Sequence, residues 1–339
     1  MGWREFFGFA ARPPRAIASP WSPHTLAPVL AEDILGVTGA PSVTREAAMQ
    51  VPAVARARHI LTSTVARLPL RVMDARGVMQ QQPTFLTRTD GVVSPQLRLA
   101  WTVDDLLFHG YSLWAVERNA DGSPRVVDRV PVEAWRFEAD GTIIVDDEPV
   151  DDRSVLLFVG FHEGILSFGA STIATAKELE ATAAKRASVP LPVVELHDTE
   201  PVDLEPHEIQ AVVGAYVRGR RDPDGAVLYT PSRIDLRAHS ANDSGELMIQ
   251  ARNASAVDVA RLCGVPASLI DASNVNATLT YETTQGRNLE FVDYALSMYL
   301  QPIESRLSMD DVVPRGQRVR FDTSTLISAP MPTSAIVED

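Results

Sequence analysis

Two long helices joined by a polar loop are the feature that most constrains the fold of this chain. Residues 246–263 contain neither proline nor glycine, and Gly264 and Pro266 follow them as a typical helix end. Residues 289–307 then place apolar side chains at steps of three and four, as one face of a helix requires: Leu289, Val292, Leu296, Tyr299, Ile303 and Leu307. The stretch between them is rich in Asn, Thr and Ser. Such a loop suits an assembly that presents loops into a shared space better than it suits an enzyme core.

Composition and length indicate a globular protein with more than one substructure. The chain has 339 residues, of which 45% are hydrophobic and 22% charged, so it can bury sizeable cores. Its single cysteine, Cys263, excludes a disulfide framework and a cysteine-based zinc site, and we expect it to be buried. No apolar run approaches the roughly 18 residues that span a bilayer, and the N-terminus has no sustained apolar segment. We therefore predict neither a membrane span nor a secretory signal.

The net charge of −13 argues against a protein that grips nucleic acid. Affinity for DNA comes mainly from Lys and Arg side chains that neutralise phosphates. Any role with DNA must therefore be one in which the protein does not hold the duplex tightly.

The order of predicted elements alternates between helical and β segments. A proline-rich arm precedes a helix that starts at Pro52 and is closed by Pro69, and a strand at 70–74 follows, with a turn at Gly77. A short apolar helix at about 103–109 leads into an antiparallel β unit that ends near residue 160, because Asp-Gly turns at 121–122 and 140–141 indicate hairpins.

The second half of the chain returns to helices around a compact insert. An alanine-rich helix is predicted at 171–187. The insert contains a predicted helix at 206–217 and strand-like runs at 226–230 and 233–240, and a final strand is predicted at 317–322.

Three segments carry a resemblance to a known family. They are VPAVARARHILTSTVARLPLRVMD at 51–74, DLLFHGYSLWAVERNADGSPRVVDRVPVEAWRF at 105–137, and ARNASAVDVARLCGVPASLI at 251–270. A helix ending in Leu-Pro, a Gly-aromatic strand with an Asp-Gly turn and a helix ending in Gly-Val-Pro follow one another in this order. The chain thus resembles the portal proteins of tailed bacteriophages from about residue 50 to residue 322.

The resemblance implies an α+β portal fold with an α/β wing, a two-helix stem, a small α/β clip, a tunnel loop and a long wing helix. The crown that such proteins carry after the wing is expected to be short or absent, since few residues follow Leu307. The implied parts are the arm 1–41, the wing 42–170, the stem helix 171–188, the clip 189–243, the second stem helix 244–264, the tunnel loop 265–288, the wing helix and strand 289–325, and the tail 326–339.

The family also implies a function. Portal proteins form a ring, usually of twelve subunits, at one vertex of the virion capsid, and double-stranded DNA passes through it during packaging and ejection. The implied partners are the terminase large subunit, the head–tail adaptor and the major capsid or scaffold protein, first met in the host cytoplasm. The expected protein is not an enzyme and holds no cofactor or metal. A non-conducting capsid-associated adaptor or scaffold protein is the alternative, and a hydrolase with a spatially assembled site is a weaker one.

Two groups of residues are candidate sites under this resemblance. In the tunnel loop, weak hydrogen bonds to passing phosphates are expected from Asn274, Asn276, Thr278 and Thr280, and Arg287 adds the only full positive charge. In the clip, Arg218, Arg220 and Arg221 are candidates to bind an acidic partner or a neighbouring subunit, but a solvated turn is the favoured explanation for them. An acidic ring repels the duplex, as a conduit requires.

Other chemical motifs are better explained as ordinary structure. The spacing of Gly214 and Gly219 imitates a phosphate loop, but arginines stand where Lys and Ser or Thr are required. The acidic run 146–152 lacks the pattern of a calcium loop, and we expect a solvated turn. Core packing is expected of three tryptophans in the predicted wing: Trp101, Trp114 and Trp135.

Overall fold

The structure is a computed structural model that describes residues 43–138, 141–188, 193–199, 205–220, 234–239, 242–270 and 284–327. The predicted arm 1–41 and the strand-like run 226–230 lie outside these residues. The chain forms two compact units. The first unit comprises Met1–Glu180 and Arg252–Asp339, and the second unit comprises Ala181–Ala251.

Helices account for most of the described chain. They are α1 Arg45–Met49, α2 Pro52–Arg67, α3 Thr84–Thr87, α4 Pro95–His109, α5 Ile165–Phe168, α6 Ala170–Ser188, α7 Pro206–Arg220, α8 Asn242–Cys263, α9 Thr284–Glu290, α10 Ser297–Leu307 and α11 Ser324–Ile327. A π-helical turn, Phe291–Leu296, joins α9 to α10, so the chain is helical from Thr284 to Leu307. No helix among the described residues is long and apolar enough to cross a membrane.

The strands are short and pair antiparallel. They are β1 Leu70–Asp74, β2 Gly77–Val78, β3 Tyr111–Arg118, β4 Pro124–Val130, β5 Trp135–Phe137, β6 Ile143–Val145, β7 Glu148–Pro149, β8 Val155–Val159, β9 Val193–Asp198, β10 Ile234–His239 and β11 Arg318–Phe321. The sheet orders are β11-β1-β2, β4-β3-β8, β5-β6-β7 and β10-β9. Helices and antiparallel sheets therefore occupy separate stretches of the chain, and the predicted α+β class is confirmed.

Prolines set both ends of α2, as predicted. Pro52 occupies the first helical position, where its missing N–H would have no intrahelical partner in any case. Leu68 is already extended, because the proline at position 69 disfavours helical backbone in the residue before it. The buried face is the predicted one: Val54, Ala57, Leu61, Val65 and Leu68.

Helix α4 is longer than the sequence pattern predicted. It begins at Pro95 because Ser94 caps it, its Oγ accepting a hydrogen bond from the Leu97 N–H at 3.2 Å. It ends at Gly110, whose φ of 79° is left-handed. A Cβ atom at Gly110 would lie 2.3 Å from the carbonyl oxygen of His162, so only glycine fits there.

The predicted β unit between α4 and residue 160 is confirmed. Strand β3 lies at its centre, with Leu113 opposite Val130 of β4 and Leu157 of β8. The β3–β4 hairpin turns at Asp121 and Gly122, as predicted. Strand β11 comes from far along the chain and pairs with β1, with Phe321 opposite Leu70.

The first unit has two hydrophobic cores. The larger core joins α2, α4 and α10 to α6, α8 and the β11-β1-β2 sheet, and the smaller core lies between the two other sheets of the unit. Trp114 is fully buried in the larger core, and its Nε1–H donates to Thr102 Oγ1 at 2.8 Å. Trp135 is buried in the smaller core, whereas Trp101 is half-buried. The predicted packing role is therefore confirmed for Trp114 and Trp135.

Buried charges on the inner side of α4 are satisfied by arginines. Asp104 accepts hydrogen bonds from Arg45 Nε at 2.9 Å and Arg58 Nε at 2.6 Å. Asp105 accepts from Arg129 Nη2 at 2.6 Å, and its other oxygen accepts from a serine hydroxyl on β3. These pairs fix α4 against α1, α2 and β4, since each charge would be costly to bury alone.

The second unit is small and is built around a two-stranded ribbon. Strands β9 and β10 pair from Val193↔His239 to Asp198↔Ile234. The predicted helix in this region is present as α7, and the predicted run 233–240 contains β10. Strand β9 was not predicted, because two prolines directly precede it. None of the side chains described in this unit is buried.

Candidate functional site

The polar loop leaves α8 from a tightly fixed base. Gly264 follows α8 in left-handed backbone, with φ 65°, and the Val265 N–H donates to the Ala260 carbonyl at 3.0 Å. From α10, the Tyr299 hydroxyl donates to the Cys263 carbonyl oxygen at 3.0 Å. Tyr299 is 1% exposed and Cys263 is 0% exposed. The end of α8 and the first turn of α10 are therefore bonded to each other.

Cys263 contributes to the end of α8 by packing and not by thiol chemistry. Burial raises the pKa of the Cys263 thiol to about 12, because the thiolate would be desolvated. A thiol with such a pKa stays protonated and unreactive near neutral pH. The prediction that Cys263 is a small buried apolar residue is confirmed.

The far side of the loop enters a helix with an irregular turn. The Ser297 N–H donates to the Val292 carbonyl, a five-residue step that defines the π turn. Within that turn Ala295 and Leu296 are buried, while Tyr294 is 77% exposed. π turns inside α-helices occur frequently at functional sites, because the extra residue re-aims the side chains around it.

A cleft of about 240 Å³ lies between the end of α8 and this irregular turn. Its walls are mainly apolar, and Arg261, Glu290 and Tyr294 are the polar residues that line it. Arg261 is already paired with Asp258 at 2.6 Å. Among the described residues that line the cleft, titratable groups do not converge as an active site needs.

The predicted tunnel-loop residues fall into two groups. Asn274, Asn276, Thr278 and Thr280 lie outside the described residues. Arg287 was predicted in the loop, but its backbone belongs to α9. The helix after the loop begins at Thr284, earlier than the predicted Leu289. Residues 284–288 are polar and carry no apolar stripe, so the periodicity gave no indication of a helix there.

The predicted basic residues of the clip lie on a helix. Arg218 and Arg220 belong to the last turn of α7, so the expectation of a solvated turn is wrong for these two residues, and Arg221 lies outside the described residues. Gly214 and Gly219 are within the same helix. They therefore form no phosphate loop, as the residue context predicted.

The acidic run forms a turn, as predicted. Asp146 and Asp147 have φ values of 49° and 65° and connect β6 to β7. Asp147 pairs with Arg136 at 2.7 Å. Among the residues that the structure describes, no group of three His, Cys, Asp or Glu side chains is arranged to hold a metal ion.

The two helices that flank the second unit in the chain contact each other within the first unit. Glu180 of α6 pairs with Arg252 of α8 at 2.9 Å. At the start of α6, a Cβ atom on Gly169 would lie 3.1 Å from a methyl group of Leu262, so glycine allows the two helices to approach closely there. Helix α6 leads into the second unit and α8 leads out of it.

Known proteins share both the sequence pattern and this fold. The family model for phage portal proteins matches residues 52–336. A crystal structure of an HK97-family phage portal protein from Corynebacterium diphtheriae is 32% identical, with a TM-score of 0.68 over 86% of this chain and 99% of that chain. No match was found among curated proteins.

Two structures of gene transfer agent particles show the same fold at lower identity. The neck of an empty particle, computed with C6 symmetry, contains a chain 14% identical, with a TM-score of 0.60 over 86% of this chain and 88% of that chain. The neck of a native particle, computed with C12 symmetry, gives 14% identity and a TM-score of 0.58 over 87% and 89%. Because the family model spans most of the sequence, and a crystallised portal protein matches it in both sequence and fold, the chain belongs to the phage portal protein family.

Proposed function

We propose that this protein is the subunit of a ring, usually of twelve copies, at one vertex of a phage capsid. Double-stranded DNA passes through the ring during packaging and ejection. The observation that carries the proposal is the likeness to the HK97-family portal protein, which extends over 99% of that chain at 32% identity. The order of elements supports it, since α6 and α8 lead into and out of a small α/β unit, as the stem of a portal leads to its clip.

In this proposal, each part of the chain has the structural role that the family resemblance implied. The first unit supplies the wing, the second unit contains the clip at 189–243, and α6 and α8 supply the stem. The tunnel loop extends from 265 to the start of α9, and the wing helix continues from Thr284 through the π turn to Leu307.

The channel role rests on charge and on the fixed base of the loop. A ring of chains with net charge −13 repels DNA, so the duplex can slide without being gripped. We assign the lumen contacts to Asn274, Asn276, Thr278, Thr280 and Arg287. The bond from Tyr299 to Cys263 holds the end of α8 while the loop adapts to passing phosphates.

The clip is assigned to docking. It seats the terminase large subunit during packaging and the head–tail adaptor afterwards, and the wing contacts the major capsid or scaffold protein. The work is mechanical and non-enzymatic, so the energy of packaging comes from the ATP-driven motor. The protein meets these partners in the host cytoplasm and remains in the virion.

The native mass of the purified protein, with negative-stain images of the same sample, tests the ring. We expect a closed ring with a central hole and about twelve subunits. A small closed dimer without a channel would refute the portal function and leave the adaptor or scaffold alternative.

Packaging assays test the lumen contacts. Asn274→Ala combined with Asn276→Ala is expected to change the amount of DNA packaged per particle, because exchangeable hydrogen bonds to phosphates are lost. Gln80→Ala with Gln81→Ala, at exposed positions after β2, is the matched control. Packaging equal to that of the control would show that the two asparagines do not contact DNA.

A further inference from the structure

The described residues of the second unit form no hydrophobic core among themselves. None of its described side chains belongs to either hydrophobic core of the first unit, and the described part of its sheet has two strands. A two-stranded ribbon is marginally stable in water unless another element covers it. The described ribbon and helix therefore depend on contacts with other residues.

Helix α7 exposes an aliphatic stripe that would supply such contacts. Ile209, Val213 and Val217 are four residues apart and so lie on one face of the helix. They are 48%, 45% and 40% exposed. Single exposed aliphatic side chains are ordinary on protein surfaces, but a continuous row along one helix indicates a contact surface.

The two ends of α7 carry opposite charges. Glu205 and Glu208 stand at its N-terminal end, where the Glu208 carboxylate accepts a hydrogen bond from the Glu205 N–H at 3.1 Å. Arg218 and Arg220 are in its last turn. Glu205, Glu208 and Arg218 are exposed, and Arg218 forms no ion pair with the described residues. One end of this helix is therefore complementary to the other end of an identical helix.

We propose that α7 forms a contact between neighbouring copies of this chain, with the basic end of one helix beside the acidic end of the next. In that contact the Val217 end of the stripe in one copy is buried against the Ile209 end of the stripe in the next copy. The proposal rests on the ring proposed above and names the next subunit as the partner of Arg218 and Arg220. A ring repeats one contact between two different faces, and a helix with unlike ends provides two such faces.

Charge reversal at one end of the helix tests the pairing. Arg218→Glu with Arg220→Glu brings acidic ends together, and Glu205→Arg with Glu208→Arg brings basic ends together. We expect each double substitution to raise the protein concentration at which half of the subunits are assembled by at least about tenfold, because repulsion replaces attraction at every contact. Combining all four substitutions restores opposite charges and returns that concentration to within about threefold of the parent value. A fourfold variant that assembles no better than either pair overturns the proposal.

Chemical cross-linking tests the contact with the native charges intact. The variant Ile209→Cys with Val217→Cys is treated with a short bis-maleimide, to which the buried Cys263 is unreactive because its thiol has a pKa of about 12. We expect a ladder of linked multimers, since position 217 of one copy lies near position 209 of the next. Dimers alone would show a symmetric contact, and an unlinked ring would show that α7 faces elsewhere. Either result overturns the proposal.

A matched control and the parent protein separate this inference from the ring itself. Arg76→Glu reverses one charge at the exposed turn between β1 and β2 and is expected to leave assembly unchanged. A parent protein that forms no ring refutes both the portal function and this contact. A parent that forms rings whose assembly is indifferent to the charge reversals refutes the contact alone.

Discussion

The bond between Tyr299 and the end of α8 gives the sharpest test of the loop base. The change Tyr299→Phe removes one oxygen and leaves the ring in place. The hydroxyl lies 3.0 Å from the Cys263 carbonyl oxygen, and both residues are at most 1% exposed, so no water can replace the donor. An unsatisfied buried acceptor costs about 1–3 kcal/mol. Because neither group is charged, we expect the free energy of unfolding to fall by about 2 kcal/mol.

Urea unfolding followed by far-UV circular dichroism measures this loss. The matched control is Tyr294→Phe, which makes the same chemical change on the same helical run at a side chain that is 77% exposed. Its expected effect is within about 0.5 kcal/mol. Both variants are compared at one protein concentration, since assembly also contributes to stability. If the two variants unfold at the same urea concentration with the same slope, the bond does not stabilise the loop base and the reasoning fails.

Three further predictions concern the first unit. Asp104→Asn is expected to lower the free energy of unfolding by about 2–3 kcal/mol, because two arginines lose their shared carboxylate, whereas Asp147→Asn at an exposed pair costs under about 0.5 kcal/mol, both measured by urea unfolding. Gly110→Ala adds a backbone clash to a left-handed φ and is expected to cost more than about 3 kcal/mol, whereas Gly122→Ala, with open space around it, costs about 1–2 kcal/mol in the same assay. Burial raises the pKa of Asp311, but its two arginine partners lower it more, so the net pKa lies below 3.8. A carboxyl group whose pKa is lowered by folding stabilises the protein above its pKa in the unfolded chain, and this stability is lost as the pH falls through its pKa in the folded protein. Lowering the pH from about 5 to about 2 should therefore lower the melting temperature of Asp311→Asn less than that of the parent, as thermal unfolding measures.

The helices and hairpins could be predicted because their signals are local. Pro52 begins α2 and the Asp-Gly pair at 121–122 turns the β3–β4 hairpin, as the sequence indicated. Strand β9 was missed, because the two prolines directly before it indicated a loop. The N-terminal part of α4 was missed because Arg98 interrupts its apolar pattern. Arg98 is in fact buried, stacks on Trp114 and donates to the carbonyl oxygens of Phe85 and Val127.

The candidate sites were less accessible to sequence reasoning than the fold. The bond from Tyr299 to Cys263 joins residues on two different helices, and each of them looked like an ordinary apolar position. The opposite charges at the ends of α7 were visible in the sequence, but their meaning depended on the helix extending to Arg220. A helix places Glu208 and Arg218 at opposite ends of one rod, whereas a turn would have left their separation undefined.

The pairing of β1 with β11 has a consequence for how the chain is made. Leu70 lies opposite Phe321, so the sheet of the first unit stays incomplete until about 250 further residues have left the ribosome. Strand β1 meanwhile presents an unpaired edge on the β11 side, and the segments from α6 to α8 emerge before the larger core can close. Such long-range pairing folds slowly. The first unit therefore reaches its finished shape only after residues 318–321 have been synthesised, which postpones any contact made by that finished surface.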